Sequence, residues 1–154
     1  MCIVVDACVF AHLFNPDNEH HEDFVPLLNW IMSGDGKLVT GGTKYAKELH
    51  RLPKILRLFV ELQKVGKVCA AEAPLVDAKE NALKKSTPKN FNDEHLIAIL
   101  AVTGCLLIST VNKSDMAEMK NRKHYPGRRI PKIYNRKSHQ KLLCKKNIAA
   151  FCTN

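Results

Sequence analysis

Four carboxylates, Asp6, Glu48, Asp93 and Asp115, each fall at the edge of a predicted strand or helix, where a folded sheet can gather them into one acidic pocket. Their settings are Ile3-Val4-Val5-Asp6-Ala7-Cys8, Thr43-Lys44-Tyr45-Ala46-Lys47-Glu48-Leu49, Asn92-Asp93-Glu94-His95-Leu96 and Thr110-Val111-Asn112-Lys113-Ser114-Asp115. Acids held beside an apolar core need something to balance them, and in a chain of formal net charge +9 the economical candidate is a divalent cation. Mg²⁺ or Mn²⁺ asks for hard oxygen ligands with room left for waters and a phosphate oxygen, which gathered carboxylates provide. An ion so held lowers the pKa of a bound water, and a second one about 3.5–4 Å away can stabilise a leaving oxygen. With phosphate as the extra ligand, the chemistry is phosphodiester hydrolysis.

Each acid also has a plainer explanation. Asp6 ends an apolar run, where a charge is expensive unless paired, but an Asp there can also cap the helix that follows. Glu48 lies in a helix that Thr43 can cap, and alone it would be an exposed acid paired with Lys44 or Lys47. Asp93 stands in the first turn of a helix whose Leu96, Ile97, Ile99, Leu100 and Val102 surround it with apolar groups; the helix dipole favours an acid there, yet a buried helix also carries its amino terminus into the interior. Asp115 follows a strand in a loop, with Asn112 offering a neutral oxygen on the same turn. Ser109 and Thr110 lack a visible Ser-His-Asp arrangement and are read as hydroxyls that orient Asp6 or Asp115 from behind. His20-His21-Glu22-Asp23 reads as a helix start with acids suited to the dipole rather than as a metal cluster, and His95 as a residue packed on a helix surface.

The elements that must position these groups alternate. Strands are predicted over 3–5, 37–40, 67–69, 105–109 and 132–134, and helices over 24–32, 44–50, 54–65, 75–84 and 93–102, with Gly66 and Gly104 ending helices. Strands separated by helices imply an α/β fold with a mainly parallel sheet covered on both faces. In such sheets the functional crevice lies outside the carboxyl ends of the strands, the rim to which Asp6 and Asp115 belong. Residues 125–131 read as a loop.

With 154 residues, 45% of them apolar, the chain is expected to form one domain with its own core, without disulfide support. No apolar run approaches the ~20 residues of a membrane span, and the start of the chain shows no secretory signal, so a cytoplasmic protein with no membrane partner is expected. Cys2, Cys8, Cys69, Cys105, Cys144 and Cys152 form no C-x-x-C pair; most stand among apolar residues and read as small buried hydrophobes. Charge is uneven. Residues 1–112 hold 12 Lys or Arg against 13 Asp or Glu, whereas residues 113–154 hold 12 against only Asp115 and Glu118. The basic segment 117–154 points to a polyanion, most simply nucleic acid, with Arg122, Lys123, Arg128, Arg129, Lys132, Arg136 and Lys137 as the phosphate-holding candidates.

Taken in order, the acids and the β/α alternation resemble the PIN-domain nucleases over residues 3–143. Asp6-Ala7-Cys8-Val9-Phe10 looks like the family's opening strand and Asp, Glu48-Leu49 like its helical acid, and Asp93-Glu94-His95-Leu96-Ile97-Ala98 like its third acid before a buried helix. Thr110-Val111-Asn112-Lys113-Ser114-Asp115-Met116 fits the Thr-x-Asn-x-x-Asp pattern of VapC-like toxins. The resemblance implies a three-layer α/β/α sandwich and an Mg²⁺- or Mn²⁺-dependent endoribonuclease with Asp6, Glu48, Asp93 and Asp115 as the metal-binding, catalytic acids. It implies single-stranded or structured RNA as substrate, and it brings an antitoxin protein and a homodimer among the partners. Cys8 replaces a small hydroxyl or amide residue, Met116 a common aromatic, and Asn135-Arg136 an Asn-Pro; the loop 117–131 is longer than in the compact toxins. None of these departures removes an acid, and they weigh against a toxin more than against a nuclease. The alternatives are a weakly active or inactive module that binds RNA or a protein, and a nuclease directed at DNA.

Overall fold

Cys2-Ile3-Val4-Val5 has no polar side chain to offer solvent, and β1 (Cys2–Val5) is wholly buried, as a parallel strand covered on both faces must be. The computed structural model describes residues 2–153. After β1 come α1 (Phe10–Phe14), α2 (His21–Met32), β2 (Lys37–Gly41), α3 (Thr43–His50), α4 (Pro53–Lys64) and β3 (Val68–Ala71). The second half carries α5 (Ala73–Leu83), α6 (Glu94–Thr103), β4 (Leu107–Ser109), α7 (Met116–Met119) and β5 (Lys132–Tyr134), and closes with three short 3₁₀ turns. All five strands are parallel in the order β3-β2-β1-β4-β5, flanked by helices in a three-layer α/β/α arrangement. Among the described residues no helix is long and apolar enough to cross a membrane.

The strand order reverses at β1 and β4. The chain builds outward from β1 through β2 to β3, then returns to lay β4 on the other side of β1. That reversal is the switch point at which open α/β sheets leave a crevice. Register fixes what meets there: Val5 stands opposite Ser109, so the next residues, Asp6 and Thr110, emerge side by side.

α6 is the centre of the packing. Leu96, Ile97, Ala98, Ile99 and Leu100 are all buried, and the helix lies on α5 and against β1, β2 and β3. Burying a side chain the size of leucine or isoleucine is worth roughly 1.5–3 kcal/mol, so α6 is held by packing on all sides. It stops at Gly104, whose left-handed backbone (φ 68°) closes the last turn.

The observed elements differ from the predicted ones where side-chain bonds override apolar pattern. The strand 105–109 begins only at Leu107, because the Cys105 amide turns back to the Thr103 hydroxyl at 3.2 Å. α1 and α7 go beyond the predicted elements; α1 has five residues and α7 four, too few to show a period. Thr43 does not cap α3. Gly42 does, and the Thr43 amide and hydroxyl both donate to Asp77, at 2.7 and 2.6 Å. Gly42 has φ 80°, and a Cβ there would lie 2.6 Å from Val76 Cγ1, so only glycine lets α3 start this close to α5. All six cysteines are free; Cys2, Cys105 and Cys152 are buried, Cys69 and Cys144 half-buried, and Cys8 exposed.

Candidate active site

Asp6 does both things its sequence position allows. It caps the turn Ala7–Val9, with Oδ1 accepting from the Cys8 amide at 3.3 Å, and its Oδ2 accepts from the Thr110 hydroxyl at 2.8 Å. The residue is only 8% exposed, and two hydrogen bonds leave its carboxylate with unused acceptor capacity. Thr110 is fully buried, and its oxygen also accepts from the Asn112 amide at 3.1 Å. One hydroxyl thus ties the end of β1 to the loop that carries Asp115.

Asn112 Nδ2 donates to Asp115 Oδ2 at 2.6 Å, and the Ser114 hydroxyl sits between Asn112 Oδ1, at 2.7 Å, and Asp115 Oδ1, at 3.1 Å. Asp115 is thereby aimed by its own loop, Asn112 through its donor amide rather than its oxygen. Ser114 is a contributor that sequence reasoning missed. Ser109 departs from its expected role: its hydroxyl donates to the Tyr134 carbonyl at 2.9 Å, binding β4 to β5 and orienting no acid.

Asp93 occupies the cap position of α6, yet its side chain makes no capping hydrogen bond. It turns instead toward the other acids. Burial, a hydrogen bond shared with Asp115 and the nearby charge of Asp6 push its carboxyl up to about 7, with His95 opposing. Asp6 and Asp115, from two other chain segments, therefore both bear on Asp93 at the switch point, and its carboxyl is about half protonated at neutrality.

Glu48 stands to one side of this group. Burial raises its carboxyl, but the hydrogen bond and charge of His95, with Lys44 and Arg51 nearby, outweigh burial and hold it below its ordinary value. His95 is 1% exposed, and its Nε2 lies 3.1 Å from Glu48 Oε2. This corrects the reading of His95 as a helix-surface residue. Since a carboxylate can only accept, Nε2 carries the proton, and the buried Nδ1 has no partner among the described residues. Tyr45, fully buried, donates to the Val5 carbonyl at 2.6 Å, and its hydroxyl is raised by burial and by the charges of Asp6 and Glu48. Tyr45 thus packs between the end of β1 and the Glu48–His95 pair, its ring centroid 6.5 Å from that of His95. Lys44 donates to the Asn92 carbonyl and ties α3 to the segment before Asp93.

The candidate phosphate-holding residues do not form one patch. Lys123 is engaged by Glu118 at 2.9 Å and by the Ser86 carbonyl at 3.2 Å. The Arg128 guanidinium lies against Gly104, Arg129 donates to the Lys146 carbonyl at 3.1 Å, and Lys132 reaches Asn147 Oδ1 at 3.4 Å. These last three precede β5 or begin it, on the amino rim and away from the acids. Arg136 and Lys137 follow β5 and belong to the acid rim; Arg122 lies in the turn Arg122–His124 between α7 and β5. Lys113, inside the Thr110 to Asp115 loop, is an exposed cation on the same rim that sequence reasoning missed, although its place in the motif was the available signal.

The donor set suits a hard divalent cation: crowded carboxylates, one of them forced toward its protonated form, with amide and hydroxyl groups behind them. As the side chains stand, however, no group of three or more His, Cys, Asp or Glu among the described residues is arranged to hold a metal ion. No family model, curated protein or solved structure matches the chain.

Proposed function

We propose that this chain is a PIN-type endoribonuclease that hydrolyses RNA phosphodiester bonds with Mg²⁺ or Mn²⁺, working in the cytoplasm. The observation that carries the reading is Asp93, a helix-start acid that does no capping and shares a hydrogen bond with Asp115 in the field of Asp6. Like charges crowded in this way cost free energy unless a proton or a cation stands between them. Asp6, Asp93 and Asp115 would hold the ion directly, and Glu48, steadied by His95, would complete the site through water. What the ion supplies when bound is charge against the phosphate and an activated water. Thr110, Asn112 and Ser114 keep the carboxylates aimed, and the cations of the acid rim hold the RNA backbone. If the activity is that of a toxin, an antitoxin protein neutralises it and expression of the chain alone arrests growth.

A second reading is a weakly active or inactive module that binds RNA or protein. It is favoured by the absence, among the described residues, of a preformed group that could hold a metal. Thermal unfolding with and without Mn²⁺ separates the two. A working pocket raises the melting temperature with increasing Mn²⁺, and Asp93→Asn abolishes the rise; no Mn²⁺-dependent rise in the wild type favours the second reading.

A further inference from the structure

A cavity of about 480 Å³ opens beside the acid crevice, lined by His12, His20, Asp23, Lys113, Asn135 and Arg136. It lies between α1, α2 and the segments that follow β4 and β5, and its volume falls in the roughly 300–1,000 Å³ range of small-ligand sites. None of these residues is among the four acids.

Its walls are unevenly satisfied. His12 is braced: its ring stacks on Phe24 (centroids 5.5 Å apart, planes at 18°) and meets the exposed His20 edge-on at 5.4 Å. Asn18 Oδ1 accepts the His20 amide at 3.0 Å and lies 2.7 Å from His12 Nδ1, so Nδ1 carries the proton and Nε2 is the ring's uncommitted nitrogen. Lys113 and Arg136 are exposed and make no side-chain hydrogen bond or ion pair with any described residue. Asp23 Oδ1 accepts from the Lys137 amide at 3.0 Å, which leaves Oδ2 open. The buried Asn135 Oδ1 has no partner among the described residues, and its Nδ2 finds only Met116 Sδ at 3.8 Å. A half-buried polar wall left this incomplete calls for a ligand or water to finish it.

The ligand that fits combines an anion for two unpaired cations, a flat ring for the imidazoles of His12, braced on Phe24, and of His20, exposed and 3.4 Å from Glu19 Oε1, and N–H donors for a carboxylate. We propose that the cavity is a nucleotide subsite, seating a guanine base against His12, His20 and Asp23 with the adjoining phosphate on Lys113 and Arg136. Unpaired RNA bases are held by such aromatic stacking, and an ionised carboxylate can only accept, which suits the two adjacent donors of guanine, N1–H and N2–H, better than the single N3–H of uracil flanked by the O2 and O4 acceptors. The subsite rests on the RNA-cleaving reading for its purpose: Lys113 lies between Asn112 and Asp115, so a phosphate held there continues the strand into the acid crevice.

The test is a metal-free NMR titration of the full chain with guanosine 5′-monophosphate, uridine 5′-monophosphate and inorganic phosphate. The guanine nucleotide should move the His12 and His20 ring signals and bind at least about fivefold more tightly than the uracil nucleotide, the low end of what a two-bond base contact discriminates. Asp23→Asn should bring the two within about twofold, and Lys113→Ala, on an exposed loop where folding is not at stake, should weaken both. Equal binding of the two nucleotides, the same signal changes with phosphate alone, or no change at either histidine overturns the subsite. Binding is read without metal and without cleavage. A chain that binds the guanine nucleotide here but cuts no RNA keeps the subsite and loses the nuclease reading; one that cuts RNA without this binding keeps the reading and loses the subsite.

Discussion

Asp93 is where a chemical explanation of a helix-start acid separates from a structural one. A capping Asp lends its carboxylate to amides of the first turn and has no reason to hold a proton at neutral pH. Asp93 makes no such bond, and its carboxyl is pushed up to about 7. The consequence for stability has a definite sign. A group whose folded value lies above its unfolded one contributes stability that is present at low pH and lost as pH rises through the folded value. Without metal, wild type should therefore lose stability relative to Asp93→Asn between about pH 4 and 7, which melts of the two proteins across that window can read. A difference that stays constant with pH would show that Asp93 is not crowded. Asp6 and Asp93 were legible in the sequence because one ends an apolar strand and the other starts an apolar helix, and Asp115 because Thr110 and Asn112 precede it at the spacing of the Thr-x-Asn-x-x-Asp pattern. The pairing of Asp93 with Asp115 was not, since it depends on how α6 docks. His95 escaped the sequence for a related reason: α6 is apolar on every side, so no periodicity says where one polar residue points.

At the scale of elements, the site depends on the register between β1 and β4. Val5 opposite Ser109 puts Asp6 beside Thr110, and the 2.8 Å bond between them is the joint. Thr110→Val keeps the shape and removes the donor to a nearly buried carboxylate, so it should cost about 1.5–3 kcal/mol of stability, whereas Thr110→Ser should restore most of that stability. Chemical denaturation measures both, and a valine variant as stable as wild type would show that the joint carries no weight. The strand and helix order was readable from apolar runs and glycines, because β1 and α6 carry unbroken apolar runs of different length. The ends of elements were not. Thr43 looked like the cap of α3, but the approach of α5 brings Asp77 to it, and that approach depends on the absence of a side chain at Gly42.

At the scale of the whole molecule, the sheet divides the basic quarter of the chain between its two rims. The charge imbalance was plain in the sequence; its division was not, because a run of cations that threads from one end of β5 to the other still looks continuous as letters. Arg136→Ala should weaken binding of single-stranded RNA and make the dependence of log affinity on log salt shallower, by about 0.7 for each phosphate the side chain had neutralised. Arg129→Ala and Lys132→Ala, on the amino rim, should change neither. Equal weakening from both rims would contradict a substrate path along the acid side. On the proposed reading, the acids and these cations serve one event, cleavage of a phosphodiester bond. The most direct measurement is cleavage of a defined single-stranded RNA by the full chain, with and without Mn²⁺, set beside Asp6→Asn and Asp93→Asn in matched preparations. Cleavage that needs Mn²⁺ and disappears in both folded variants is the expected result; equal cleavage by all three proteins, or none by the wild type, would contradict it.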